Sequence, residues 1–280
     1  MPIVTISRGT FSGGETLAQC LTKKTGFPAV GVEVIKEAAT LYGISESEIS
    51  QQLKQGPKVW ERLLGEKRRL YLIALQSAMA ERAAKGDFIY YGLAGHFLLQ
   101  GVPNVFKVRL VAPLSQRIKN EMAKKNISEE AAKEYIEKVD ERRKQWTKFF
   151  YHVDLTDPFL YDMVINLENL SIDTACGMIM YALDQPEFKD TGAKHKAIEN
   201  FALACQIKAK IALNERTRGI ELDVEVKDGN VHIQGKLYTT VGMFATGLRQ
   251  TEAEIRTIAK SVSGVKDIKV DLQELPVAVE

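Results

Sequence analysis

Ile3-Val-Thr-Ile-Ser-Arg8, Gly9-Thr-Phe-Ser-Gly-Gly14 and Glu15-Thr-Leu-Ala-Gln-Cys-Leu-Thr-Lys-Lys-Thr25 follow one another near the start of the chain. The first piece is β-branched and apolar. The third carries Leu17, Ala18 and Leu21 at helical spacing and stops at Gly26. The order is strand, glycine loop, helix. Gly9 to Thr16 fits the phosphate-loop pattern G-x-x-x-x-G-K-[ST] at every fixed position except the lysine, where Glu15 stands. Glycines let successive backbone N–H groups turn inward around an anion, and the helix N-terminus adds about half a positive charge. Thr16 is placed to reach a magnesium ion. The competing reading is a tight strand-to-helix turn that binds nothing. A carboxylate at position 15 replaces an attraction to β- and γ-phosphates by a repulsion, each of order ~4 kcal/mol at contact. As a first-turn acid it also favours its helix by roughly 0.3–1 kcal/mol.

Working outward, β-rich runs at 3–7, 28–30, 87–91, 104–111 and 161–166 alternate with helical patterns. Helices are expected over 15–25, 32–42, onward from a Ser45/Glu48 capping box, over 58–85, after Pro113, over 128–150 and over 171–183. Gly56-Pro57 reads as a break. Five strands joined through helices imply an α/β fold: a parallel sheet with helices on both faces. Ligands of such sheets bind beyond the carboxyl ends of the strands, where Gly9 to Gly14, Gly92 to Gly95 and Ala112-Pro113 converge.

Polar residues 184–192, with Pro186 and Gly192, read as a linker. Beyond it the periodicity changes. A helix over 195–214 precedes Ile220 to Val226, which alternates with period two, and Asp228-Gly229 turns the chain into Val231 to Leu237. A helix over 246–261, a stop at Gly264 and a strand over 265–272 complete a small α+β unit of order α-β-β-α-β. The expected division is 1–184, a linker at 185–195, and 196–280.

The 280 residues are enough for about two domains, and 45% apolar with 26% charged is an ordinary globular balance. Thirty-eight Lys+Arg against 36 Asp+Glu leave +2, which argues against a partner whose many phosphates must be neutralised, so no nucleic acid is expected. The N-terminus lacks the form of a secretory leader and no apolar run is long enough to span a bilayer, so the expected location is cytoplasmic. Cys20, Cys176 and Cys205 are widely spaced and read as small packed side chains. Four scattered histidines give no ligand spacing, and no protein-bound metal is expected.

Ile6-Ser7-Arg8 through Ser12-Gly13-Gly14, Gly26-Phe27-Pro28, Ile35 to Ala39, Ala112-Pro113-Leu114, Arg117-Ile118, Asp140 to Arg143, Asp157-Pro158 and Tyr161 to Asn166 together resemble the cytidylate kinase-like family of P-loop nucleoside-monophosphate kinases. The resemblance covers about residues 1–184. It implies a five-stranded parallel sheet, a mobile lid, and transfer of the ATP γ-phosphoryl group to a pyrimidine nucleoside monophosphate with Mg2+. Arg8, Gly9, Ser12, Gly13, Gly14, Glu15 and Thr16 then line the nucleotide phosphates. Arg117, Arg142 and Arg143 are the candidate catalytic cations, with Asp140 in the lid.

Three positions depart from the family pattern. Glu15 replaces a basic residue, Gly31 an acceptor-side aspartate, and Leu93 the arginine of a Gly-Arg-Gly. Arg8, Lys107 and Arg109 are candidate replacement cations, although Lys107 and Arg109 also read as solvent-facing residues of an edge strand. The basic segment Lys138 to Lys148 reads equally as a lid or as a solvated helix face. Trp146, Phe149, Phe150 and Tyr151 read as base-stacking or helix-packing aromatics.

Val224 to Gly235 and Ile258 to Ile268 make the C-terminal unit similar to a BON domain. That resemblance implies attachment to a ligand, a protein or a phospholipid surface, regulation, or oligomerisation. Three functions follow: a weakened phosphotransferase with a BON module, a catalytically silent nucleotide sensor, and a BON-driven scaffold or membrane-associated adaptor.

Overall fold

The computed structural model describes residues 2–10, 12–54, 65–92, 95–218, 220–240 and 246–277. Leu93 therefore lies outside the described residues, as does Phe11. Packing divides the chain into two compact units. One takes residues 1–34, 50–61 and 86–191; the other takes 35–49, 62–85 and 192–280. The single cut expected at 185–195 is thus only one of several crossings between them.

The first unit is built on a sheet of order β2-β3-β1-β4-β5, with β1 Ile3–Arg8, β2 Ala29–Val30, β3 Phe88–Tyr90, β4 Val105–Val111 and β5 Met163–Asn166. Every pairing is parallel, with Ser7 opposite Arg109 in the register of β1 and β4. Alternation sets which side chains face which layer. Val4 and Ile6 of β1 and Phe106, Val108 and Leu110 of β4 point to one face. There they pack on Leu17, Ala18 and Leu21 of α1 (Gly14–Thr25) and on Ala175, Cys176 and Ile179 of α8 (Ile172–Leu183). Each Val, Leu, Ile and Phe among them contributes roughly 1.5–3 kcal/mol by leaving water, which anchors α1 behind the glycine loop. The 3₁₀ turn Pro186–Phe188, inside the expected linker, adds Phe188 against Phe106 at 4.8 Å.

Helix α6 (Leu114–Lys125) starts from Pro113, and α7 (Glu129–Tyr151) from Ser128, whose hydroxyl accepts the Ala131 N–H at 3.3 Å. They pair through Ile118, Ala132 and Ile136. Because β4 lies between β1 and β5, the edge-strand reading of Lys107 and Arg109 is corrected: both sit on an internal strand and are half-buried.

In the second unit, α9 (Gly192–Leu213) begins three residues before the expected His195. It packs Ala202 and Cys205 against Ala80 of α4 (Gly65–Lys85), a close contact that small side chains permit. Helix α3 (Glu46–Lys54), which the division cuts after residue 49, carries one half of the expected capping box: the Glu48 N–H donates to the Ser45 hydroxyl at 3.3 Å, while the Glu48 carboxylate accepts from the Tyr71 hydroxyl instead. Strands β6 (Glu221–Lys227) and β7 (Asn230–Thr240) form an antiparallel hairpin, and β8 (Asp267–Val277) joins β7 in parallel. Asp228 and Gly229 have φ of 56° and 85°, the left-handed pair a two-residue hairpin turn requires. Helix α10 (Thr246–Lys260) covers this sheet through Ile255 and Ala259.

Candidate functional site

The glycine loop leaves the carboxyl end of β1 and turns directly into α1. Gly13 has φ 83°, which only glycine adopts without strain, and its carbonyl accepts the Leu17 N–H at 2.9 Å to open the helix. The N-cap Gly13 supplies no side-chain cap, so the first amides of α1 point outward with the positive end of the helix dipole behind them. The Ser12 hydroxyl is buried in the loop and has no hydrogen-bond partner among the described residues. Uncapped amides and an orphaned buried hydroxyl fit an anion seated in the loop.

Three arginines reach this loop from three elements. Arg8, the last residue of β1, folds over Gly14: a β-carbon there would stand 2.1 Å from Arg8 Cδ and 2.8 Å from Nε. Its Nε donates to the Tyr91 carbonyl at 3.4 Å. Arg117, in the first turn of α6, lies against Gly9 and donates from Nε to the Thr10 carbonyl at 2.7 Å. Arg143, midway along α7, donates to the Arg8 carbonyl at 3.3 Å and to the Thr10 hydroxyl at 3.1 Å. Asp140 sits one turn before Arg143, pairs with Arg117, and accepts from Thr10. Burial, then the neighbouring Arg8, pull the Arg143 guanidinium down to about 10 against the opposing pull of Asp140. Burial likewise lowers Arg8, while Glu15 and Tyr91 raise it. Three partly desolvated cations facing one paired carboxylate leave the loop rich in positive charge.

Glu15 does not point into the loop. Its side chain is 56% exposed and stands 3.7 Å from Lys124 of α6. The ~4 kcal/mol contact repulsion expected of it therefore shrinks toward a screened surface interaction. A second carboxylate, Glu33, lies near Tyr91. Gly31, where an acceptor-side aspartate was expected, donates its N–H to Glu33 Oε2 at 2.6 Å. A β-carbon on Gly31 would press on the Tyr91 ring at 3.0 Å. Sequence reading missed both Glu33 and Tyr91. Glu33 looks like an ordinary first-turn acid of α2 (Glu33–Tyr42), and only its offset of two residues from the expected position could have flagged it.

The remaining candidates fall outside this cluster. Arg142 donates from Nε to the Lys138 carbonyl at 3.1 Å, along its own helix, whereas Arg117 and Arg143 reach the loop together with Arg8. Lys107 pairs with Asp162 at 3.4 Å. Arg109 donates to the Leu155 carbonyl and, at 3.1 Å, to the Tyr161 hydroxyl, so neither serves as replacement cation in this arrangement. Trp146 is buried and Tyr151 stacks on Phe97 at 4.5 Å, the helix-packing reading for these two, whereas Phe149 is exposed. Thr16 is exposed on α1 beside Glu15. Among the described residues no group of three or more His, Cys, Asp or Glu could hold a metal ion.

Compared with known proteins, the model of the cytidylate kinase-like family matches residues 3–169. A cytidylate kinase of Methanothrix thermoacetophila is 30% identical over 166 residues, 59% of this chain and 87% of the relative. One of Methanopyrus kandleri is 25% identical over 191 residues, 65% of this chain and 93% of the relative. Among solved structures, an uncharacterized protein from Eubacterium ventriosum shares the fold with a TM-score of 0.52 at 21% identity, covering 66% of this chain and 99% of the other.

Proposed function

The chain belongs to the cytidylate kinase-like family, and from that premise we propose that residues 1–184 bind ATP through the glycine loop and transfer its γ-phosphoryl group to a pyrimidine nucleoside monophosphate. The observation that carries this reading is the convergence of Arg8, Arg117 and Arg143 on a loop with uncapped helix amides and an orphaned Ser12 hydroxyl. In this reading Arg8, folded over Gly14, supplies the charge that Glu15 fails to supply. Arg117 and Arg143 stabilise charge on the transferring group. Thr16, exposed in the first turn of α1, would be the residue to help hold the Mg2+ that accompanies ATP, and the ion would supply neutralisation of phosphate charge. Glu33 beside Gly31 serves the acceptor side in place of the missing aspartate. The C-terminal α-β-β-α-β unit acts as a BON-like regulatory or attachment module.

A second reading, a catalytically silent nucleotide sensor, is favoured by the Asp140 carboxylate, which already takes the Thr10 N–H at the mouth of the loop. Incubation with Mg-ATP and each nucleoside monophosphate separates the two. The kinase reading expects product, reduced roughly 100-fold or more in Arg117→Ala. Binding without turnover sinks the kinase and leaves the sensor. No nucleotide or phosphate binding by calorimetry sinks both, in favour of a scaffold.

A further inference from the structure

Two cysteines 156 positions apart in sequence meet in the fold. Cys20 lies in the middle of α1 and Cys176 in the second turn of α8, and these helices pack side by side on one face of the large sheet. Cys176 is fully buried and Cys20 is half-buried. Cys20 packs against the buried cluster that contains Cys176. The Cys20 thiol also donates to Asp173 Oδ1 at 3.6 Å, one turn before Cys176 on the same helix. Two thiols on packed neighbouring helices, one of them reachable from solvent, are the arrangement in which an oxidised sulfur finds a resolving partner nearby.

We propose that Cys20 and Cys176 form a dithiol modification site that closes to a disulfide when the protein meets a hydroperoxide. The half-exposed Cys20 sulfur attacks the terminal peroxide oxygen. The O–O bond breaks, an alcohol or water leaves with the thiol proton, and Cys20 becomes a sulfenic acid. The Cys176 sulfur then attacks the Cys20 sulfur, the S–S bond forms, the S–O bond breaks, and the hydroxyl leaves as water with the Cys176 proton. Two thiols lose two electrons and one peroxide gains them. Cys176 is buried, which also pushes its thiol up to about 12, so the half-exposed Cys20 is the thiol that meets the oxidant first.

The bond has a structural consequence at the phosphate loop. One turn before Cys176, Ile172 packs on Gly13, with its Cδ1 2.9 Å from where a β-carbon on that glycine would sit. A Cys20–Cys176 disulfide therefore staples α8 to α1 directly behind the loop, whatever ligand the loop holds.

The test uses the full-length reduced protein treated with a small excess of hydrogen peroxide, quenched, denatured and alkylated. Two of the three thiols are expected to disappear, leaving Cys205 titratable. Mass spectrometry should show the loss of two hydrogens and a Cys20–Cys176 cross-linked peptide, both reversed by dithiothreitol. In Cys176→Ser, Cys20 should stop at a sulfenic acid that dimedone traps; in Cys20→Ser no dimedone adduct should form at position 176. Three thiols surviving treatment, or Cys20 passing to the sulfinic acid with no cross-linked peptide, would overturn the proposal. The outcome does not depend on nucleotide binding, so its failure and that of the kinase reading are separate results.

Discussion

Asp140 Oδ1 accepts two hydrogen bonds from one residue of the glycine loop, Thr10: from its backbone N–H at 3.1 Å and from its hydroxyl at 2.7 Å. The other oxygen of the same carboxylate meets Arg117. The α7 carboxylate thus occupies donors of the glycine loop, and under the proposed function an incoming phosphate must displace it or rearrange around it. Asp140→Asn keeps the side-chain shape and removes the charge. Asp140 is one-third exposed, so the electrostatic gain is screened to about 1 kcal/mol. Calorimetry is expected to show pyrophosphate and ATP binding strengthened about 3- to 10-fold. Weaker binding would mean that Asp140 chiefly holds Arg117 and Arg143 in place.

Glu15→Lys tests the other carboxylate at the loop. Because Glu15 faces solvent beside Lys124 rather than the loop interior, the reversal of charge acts at a distance through water. Expected is a gain in ATP affinity of about 3- to 10-fold at low salt that mostly vanishes near 1 M, where charges are screened within about 3 Å. A gain of several hundred-fold, persisting in salt, would place the new ammonium in direct contact with the phosphates.

The loop, the parallel sheet and the α-β-β-α-β order were legible because each rests on local signals: Gly13 and Gly26 at left-handed positions, Asp228-Gly229 in a hairpin turn, and apolar period. The site was only half legible. Arg117 and Arg143 could be placed at the loop by resemblance, but nothing local separates Arg143, which reaches Thr10, from Arg142, which turns back to its own helix. One residue of helical rotation, about 100°, decides between them. Glu33 and the nearness of Cys20 to Cys176 were hidden for the same reason: each depends on which elements pack together. Position 15 shows the converse error, where a motif fixed the residue's place but not the direction of its side chain.

Gly13→Ala should carry two separable penalties. The backbone at φ 83° costs a β-carbon roughly 1–2 kcal/mol, and that carbon would also meet Ile172 Cδ1 at 2.9 Å. Thermal or urea unfolding is expected to show a loss of about 2–3 kcal/mol. Adding Ile172→Ala to both backgrounds should make the Gly13→Ala penalty smaller by the steric part alone, leaving the backbone part. An unchanged penalty would mean that Ile172 already moves aside freely.

His96 makes stability depend on pH. It is 7% exposed, its Nε2 has no hydrogen-bond partner among the described residues, and burial, then Lys107 and Arg109, lower its pKa to about 4. An unfolded chain binds a proton there near pH 6.5, whereas the native state binds it only near pH 4. Between those values the unfolded state holds more protons, so stability rises with pH. The neutral histidine's contribution is fully present above about pH 6.5 and is lost as pH falls through 4. The full span corresponds to about 3 kcal/mol. His96→Leu removes the titration without adding charge. Urea unfolding of both proteins from pH 7.5 to pH 4 should therefore show the wild type losing up to about 3 kcal/mol more than the variant. Parallel profiles would mean that His96 takes up its proton in the native state near its ordinary pKa, with burial and the charges of Lys107 and Arg109 opposing it too weakly.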